Sequence, residues 1–280
     1  MNREQEERFT SLLSGSKTLV MGVCNITPDS FSDGGKFLAE DKAFEHCQKL
    51  FNSGADIVDI GGESTGPGST PVNLEEELAR VIPVVEKASK LGPISVDTYK
   101  AEVASEAIKN GATLINDVSG LKAEPKLAEV IASSATWLVL MHNKSETPLP
   151  HVKETKAIGE EIVGLIIDSL AKKVENATRL GIAKSKIILD PGMGAFVSQD
   201  PKHSWELLAK FDRITKEFSD FPVMVATSRK GFLGGKLEER DPISQYTASW
   251  ASDRGAKIIR THRPDLASSF LAAREKLSAS

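Results

Sequence analysis

The chain has 280 residues, 40% hydrophobic and 26% charged, with a formal net charge of -4. These proportions fit one large globular domain and exclude a disordered, collagen-like or coiled-coil protein. The small acidic excess gives no long-range attraction for a polyanion, which excludes nucleic acid as the main partner.

Residues 1–17 read as an N-terminal extension, polar or charged from Asn2 to Arg8. Nothing downstream reaches the uninterrupted apolar length of a signal-peptide core or a membrane span, so a cytoplasmic protein with no membrane partner is expected. Cys24 and Cys47 are the only cysteines, too few for a disulfide framework and wrongly spaced for a C-x-x-C pair. Both read as small buried hydrophobes. If Asn25 points into a site, strand alternation turns Cys24 the other way.

In chain order, short β-branched runs at 19–24, 56–60, 94–96, 113–115, 137–141, 187–189, 223–226 and 257–260 alternate with amphipathic segments. The latter fall near 40–53, 74–90, 100–110, 125–134, 155–180, 201–218, 242–254 and 264–277. The strands are nearly continuous in hydrophobicity, as parallel strands covered on both faces should be. Gly54, Gly92, Gly111, Gly181 and Gly255 stand where a left-handed residue would close each preceding helix. Strand followed by helix, eight times over, predicts an α/β protein: a single (β/α)8 TIM barrel over 1–280, with its active site at the C-terminal ends of the strands. An open doubly wound sheet is the alternative.

Each apolar run stops at polar residues: Asn25, Asp59, Asp97, Asn116, His142, Asp190, Arg229 with Lys230, and Arg260 with His262. A closed parallel barrel brings these ends to one mouth, beneath the long irregular stretches 25–36, 61–73 and 142–154. Asp, Asn, Asp and Lys together alternate acceptors with donors, which suits a flat heterocycle carrying an amide and an amino group. Asp97 or Asp190 could accept two parallel N–H bonds from an aminopyrimidine edge. Either could instead cap the helix or turn that follows it. The basic pairs after strands seven and eight lie where such barrels bind phosphate. Dinucleotide, P-loop, zinc and serine-hydrolase signatures are missing from the sequence.

Asn25-Ile26-Thr27-Pro28-Asp29-Ser30-Phe31-Ser32-Asp33-Gly34-Gly35 resembles the first signature of the dihydropteroate synthases, and Asp59-Ile60-Gly61-Gly62-Glu63-Ser64-Thr65 the second. Ser95-Val96-Asp97-Thr98, Ile115-Asn116-Asp117-Val118, Leu140-Met141-His142, Asp190-Pro191-Gly192-Met193-Gly194 and Ser228-Arg229-Lys230 follow in that family's order. The resemblance implies a folate-pathway transferase that joins 4-aminobenzoate to 6-hydroxymethyl-7,8-dihydropterin diphosphate, with Mg2+ as cofactor and a homodimeric assembly. By motif position, Asp97, Asn116, Asp190 and Lys230 would hold the pterin. Asn25 would bind Mg2+ or the diphosphate it carries, and Arg260 and His262 would grip the diphosphate. Phe31 and Asp33, with Thr65 and Pro67, would close over aminobenzoate, the pocket that sulfonamides share.

The chain departs from the commonest family pattern at several places. Gly66 stands where the family commonly has Arg, and Gly231 where it often has Ser. Arg260-Thr261-His262-Arg263-Pro264 and Pro191-Gly192-Met193-Gly194 are similar to the sulfonamide-resistant branch. Two other readings use the same pterin pocket: a methyltransferase moving a methyl group from a folate to a corrinoid protein, and a non-catalytic pterin binder.

Overall fold

A computed structural model describes residues 3–26, 35–64, 70–145 and 161–278. The strands are β1 (Leu19–Asn25), β2 (Ile57–Gly61), β3 (Ile94–Asp97), β4 (Leu114–Asp117), β5 (Trp137–Met141), β6 (Ile187–Asp190), β7 (Met224–Val225) and β8 (Ile258–Thr261). The helices are α1 (Arg3–Ser14), α2 (Gly35–Asn52), α3 (Leu74–Ala88), α4 (Ala101–Lys109), α5 (Lys126–Ala132), α6 (Ile162–Arg179), α7 (Pro201–Ala209), α8 (Phe211–Glu217), α9 (Arg240–Ser252) and α10 (Pro264–Ser278).

All strand pairs are parallel, in the order β6-β5-β4-β3-β2-β1-β8-β7. The remaining seam is drawn together by a bridge between Leu189 and Val223, where the Leu189 N–H donates to Pro222 O at 2.9 Å. The sheet therefore curls into a nearly closed barrel, and the open-sheet alternative falls.

Alternation sorts the strand side chains into two cores. Val20, Cys24, Val58, Ile60, Ile94, Val96, Ile115, Leu138, Leu140, Leu189 and Ile259 face outward and pack with the helices. Leu19, Met21, Ile57, Leu114, Trp137, Val139, Ile188, Met224 and Ile258 face inward. Phe9 and Leu13 of α1 join that inner core from below, with the Phe9 ring edge-on to Trp137 at 5.6 Å between centroids. Residues 1–17, read as an extension, thus carry the helix that seals the barrel floor. Cys24 faces Cys47 of α2, both buried, with sulfurs 3.6 Å apart.

Three expectations change in detail. The single helix over 201–218 is two, because Lys210 leaves helical geometry at φ -108°, ψ 25°. The described part of the helix over 155–180 starts at Ile162. Gly54, Gly111, Gly181 and Gly255 have the positive φ expected of helix-closing glycines, whereas Gly92 does not. Packing requires Gly92 instead, since a Cβ there would come within 2.8 Å of the Phe51 ring.

Candidate active site

On the next layer up, the same alternation that lines the floor with Leu and Ile turns Asp59, Ser95 and Asn116 inward, and above them Asp97 and Asp190. Arg260, inward on β8, ties this layer together. Its Nε donates to Asp59 Oδ2 at 2.7 Å and its Nη2 to Asp97 Oδ2 at 2.9 Å. Asn116 Nδ2 donates to the same Asp59 oxygen at 3.1 Å. Asp59 Oδ2 is thereby spent on holding two neighbours. Its other oxygen, Oδ1, is buried without a hydrogen-bond partner, as are Asp97 Oδ1, Asn116 Oδ1 and the Ser95 hydroxyl. Buried acceptors in that state cost free energy until a donor arrives.

Asp97 is no helix cap: the first N–H of α4 goes to Glu124 Oε2 at 2.9 Å. Asp190 divides its roles, with Oδ1 accepting the Gly192 N–H at 2.8 Å. Gly192 sits at φ 73°, and a Cβ there would meet His142 O at 2.7 Å, so only glycine lets this turn close against the β5 end. Lys230 arrives from the turn after β7, which passes through Arg229 at φ 59°. That left-handed conformation is uncommon for a non-glycine residue and is held by Arg229's paired bonds to Asp241, at 3.0 and 3.1 Å. Lys230 Nζ lies 4.4 Å from the Phe196 ring centroid.

Part of this set borders a pocket of about 420 Å³, with Asp59, Asn116 and Asp190 outside its lining. Asp97, Lys230, Arg260, Asn25 and His262 line it, with Phe196 on the apolar side. Burial, opposed by Arg260, pushes the Asp97 carboxyl up to about 7. Burial likewise raises Asp190 against the pull of the Gly192 N–H, Lys230 and Arg260. Burial and then Arg260 lower Lys230 to about 8. His262 falls to about 3, through burial first and then Arg260 and Arg229, so its ring is neutral at pH 7. The Ser228 hydroxyl oxygen accepts the His262 backbone N–H at 3.1 Å and lies 2.9 Å from the ring Nδ1. With the hydroxyl proton directed to Nδ1, Nε2 keeps the ring proton and is a donor.

The structure therefore brings together Asn25, Asp97, Asn116, Asp190, Lys230, Arg260 and His262. Phe31, Asp33, Thr65 and Pro67 lie outside the described residues, as does Gly66. His142 does not join the mouth. Met141 takes the inward position, so His142 turns out and its Nδ1 sits 2.8 Å from Ser169 Oγ on α6. Sequence reasoning missed a buried ionic cluster at the base of the second loop. Lys100 Nζ pairs with Glu63 Oε2 at 2.6 Å and with Glu77, and the Tyr99 hydroxyl donates to Glu63 Oε1 at 3.0 Å. The clue was Glu77, the one acid on the otherwise apolar buried face of α3.

A family profile described as "Pterin binding enzyme" matches residues 21–262. The dihydropteroate synthase of Bacillus subtilis is 44% identical over 254 residues, covering 88% of this chain and 84% of that protein. The chain belongs to the dihydropteroate synthase family. Among solved structures, the Xanthomonas albilineans dihydropteroate synthase with 4-aminobenzoic acid superposes with a TM-score of 0.86 at 34% identity, over 96% of this chain and 95% of that one. The same enzyme in complex with 7,8-dihydropteroate gives 0.82 at 33% identity, over 96% and 95% of the two chains. The family's pterin-binding description agrees with a pocket whose unsatisfied groups are acceptors.

Proposed function

We propose that this chain is a folate-pathway transferase, condensing 6-hydroxymethyl-7,8-dihydropterin diphosphate with 4-aminobenzoate to give 7,8-dihydropteroate and diphosphate. The observation that carries the reading is the buried, unpartnered Asp97 Oδ1 in a pocket it lines with Lys230, backed by the unpartnered Asn116 Oδ1 of its register neighbour on β4. A pterin is flat and presents amide and amino N–H groups along one edge, so it supplies donors to these oxygens. Its ring acceptors face Lys230.

The reaction breaks the bond between the pterin methylene carbon and the diphosphate oxygen, which leaves with the electron pair. The aminobenzoate nitrogen then bonds to that carbon and sheds a proton. Arg260 sits under the pterin, fixed by Asp59 and Asp97, with Nη1 still available to an anion. His262 offers the neutral Nε2–H, so it steadies the departing oxygens by hydrogen bonding rather than by charge. A strong general base is unnecessary, because an aromatic amine attacking an electron-deficient carbon loses its proton readily.

The donor set suits Mg2+. Asn25, exposed at the end of β1, offers a hard amide oxygen beside His262, and among the described residues no cluster of three acids or histidines could cage a metal alone. A Mg2+ ion takes one or two protein oxygens and leaves the rest of its sites to phosphate and water. Bound there, it would neutralise charge on the diphosphate. Asn25 would hold it.

The assembly we propose is a homodimer, supported by large apolar side chains exposed on α9 (Ile243, Tyr246, Trp250) and α7 (Trp205). No helix among the described residues is long and apolar enough to cross a membrane. The two unbridged thiols, Cys24 and Cys47, support a reducing, cytoplasmic setting. The deciding experiment follows diphosphate release with both substrates and Mg2+. Release that requires both substrates, with dihydropteroate as co-product, is expected. No release from a folded protein that binds the pterin would leave a binding protein in its place.

A further inference from the structure

Along the seam where β1 meets β8, a groove of about 580 Å³ opens beside the barrel mouth. Its α2 wall carries Lys42, His46 and Lys49, spaced i, i+4 and i+7 and hence on one face of the helix. Glu45 is the one acidic side chain among the described residues that line it. The inner end is formed by Asn25, Arg229 and His262, which also line the pterin pocket. The two spaces meet at those three side chains.

The charges in the groove are not those of an ordinary solvated helix face. Lys87, nearby on α3, is neutralised by Glu40 and Asp41 of α2. Among the described residues Lys42 and Lys49 have no carboxylate partner, although Glu45 lies within one turn of each. Arg229 is committed to Asp241 and marks the inner corner without closing it. On a chain of net charge -4, two uncompensated cations therefore flank a passage that begins at the diphosphate side of the site.

The proposed reaction creates a traffic problem that this passage answers. Once the carbon–oxygen bond has broken, the pterin pocket and the mouth above it are filled by the joined product. A highly charged anion held at Asn25 and His262, to one side of that product, must leave by another way or wait. We propose that Lys42 and Lys49, with His46 between them, form a lateral port that receives diphosphate from Asn25 and His262 and conducts it to solvent along α2, above the last paired residues of β1 and β8. No bond is made or broken in the port. The lysines supply a local potential that draws the anion outward, and by microscopic reversibility they also speed its entry.

This inference rests on the proposed activity, and the test separates the two. Inorganic diphosphate is bound to the full chain, with Mg2+, in stopped flow. Lys42→Gln/Lys49→Gln should slow its association about tenfold and flatten its salt dependence, as loss of steering charges does. The affinity for unphosphorylated 6-hydroxymethylpterin should not change. In single turnover, dihydropteroate should form at the wild-type rate while free diphosphate appears later. A control, Lys90→Gln/Lys172→Gln, removes the same charge from exposed positions elsewhere. An unchanged association rate in the first variant, or equal slowing in the control, overturns the port. Turnover of the wild type in the same series shows that such a result concerns the port and not the activity.

Discussion

The Asp97 carboxyl is the most informative group to perturb, because its burial is opposed by one cation and reinforced by several acids. It is pushed from its ordinary 3.8 to about 7 by burial, against Arg260, with Asp59, Glu77 and Asp117 adding to the rise. Between these values the native protein keeps a proton that the unfolded chain has released. Stability contributed by this group therefore falls as pH rises from about 4 to about 7, and is level above that. Integrated from pH 5 to pH 8, the loss is on the order of 2 to 3 kcal/mol, since one pK unit is worth a little over 1 kcal/mol. Asp97→Asn keeps the shape and abolishes the titration. Arg260 keeps Asp59 as its partner at 2.7 Å, so the variant should fold.

Measured without ligand by thermal unfolding, the difference in stability between variant and wild type should move in the variant's favour from pH 5 to pH 8. The expected size is about 5 °C in Tm, given a few degrees per kcal/mol for a domain of this length. The functional counterpart runs the other way. An amide must turn its oxygen to Arg260 or to the pterin and sets a donor against whichever it refuses, so 6-hydroxymethylpterin binding at pH 8 should weaken by about 1.5 to 3 kcal/mol. Wild-type affinity should also decline below pH 7, as the carboxylate takes up its proton, whereas the variant's should not. Parallel stability profiles for the two proteins, together with equal calorimetric affinities, would refute both the buried titration and the role of Asp97 at the pterin edge.

Arg260→Ala leaves Asp59 and Asp97 buried without their cation, so denaturant titration should show a loss of about 3 to 5 kcal/mol; a loss under 1 kcal/mol would mean that the ion pairs do not organise the floor of the pocket. Gly231→Ser should lower KM for 4-aminobenzoate by the equivalent of about 1 kcal/mol, because a Cβ there meets nothing within 4 Å and the backbone is not left-handed. An unchanged KM in steady-state kinetics of the folded variant would show that other groups hold the benzoate carboxylate. The Cys24 thiol is raised well above the usual range by its hydrogen bond with Cys47 and then by burial, so an aromatic disulfide reagent should titrate neither thiol until the protein unfolds. Fast labelling of the native protein would contradict the packing of β1 on α2.

The fold was legible because buried parallel strands leave a signal that survives in any context: apolar runs that stop at a polar residue. The runs also foretold which side chains point inward, once the period of two was applied strictly. His142 shows the cost of applying it loosely. It follows the last inward residue of β5, so adjacency to a strand end placed it in the mouth while alternation placed it against α6. Lys210 was missed for the opposite reason, since nothing in a continuous helical pattern marks the residue where the backbone leaves helical geometry. The Glu63–Lys100–Glu77 cluster is a contact between three elements, and only the odd burial of Glu77 hinted at it.

The same reasoning explains why one half of the site is better determined than the other. Pterin-side groups stand on strand ends whose positions are set by the barrel ladder, and Asp59, Arg260 and Asp97 then fix one another to within hydrogen-bonding distance. Such a set pre-organises unsatisfied acceptors, and the free energy held in leaving Asp97 Oδ1 and Asn116 Oδ1 unpaired is returned when a donor edge docks. Benzoate-side groups belong to loops, where side-chain identity can change without disturbing the ladder. Gly66 and Gly231 are departures from the family pattern of that kind, and the proposed activity assigns them to the second substrate. Selection by a drug that resembles aminobenzoate would act on this half alone, because a change at Asp97 weakens the proposed pterin binding and one at Arg260 costs barrel stability as well, whereas a change at Gly231 has open space around it.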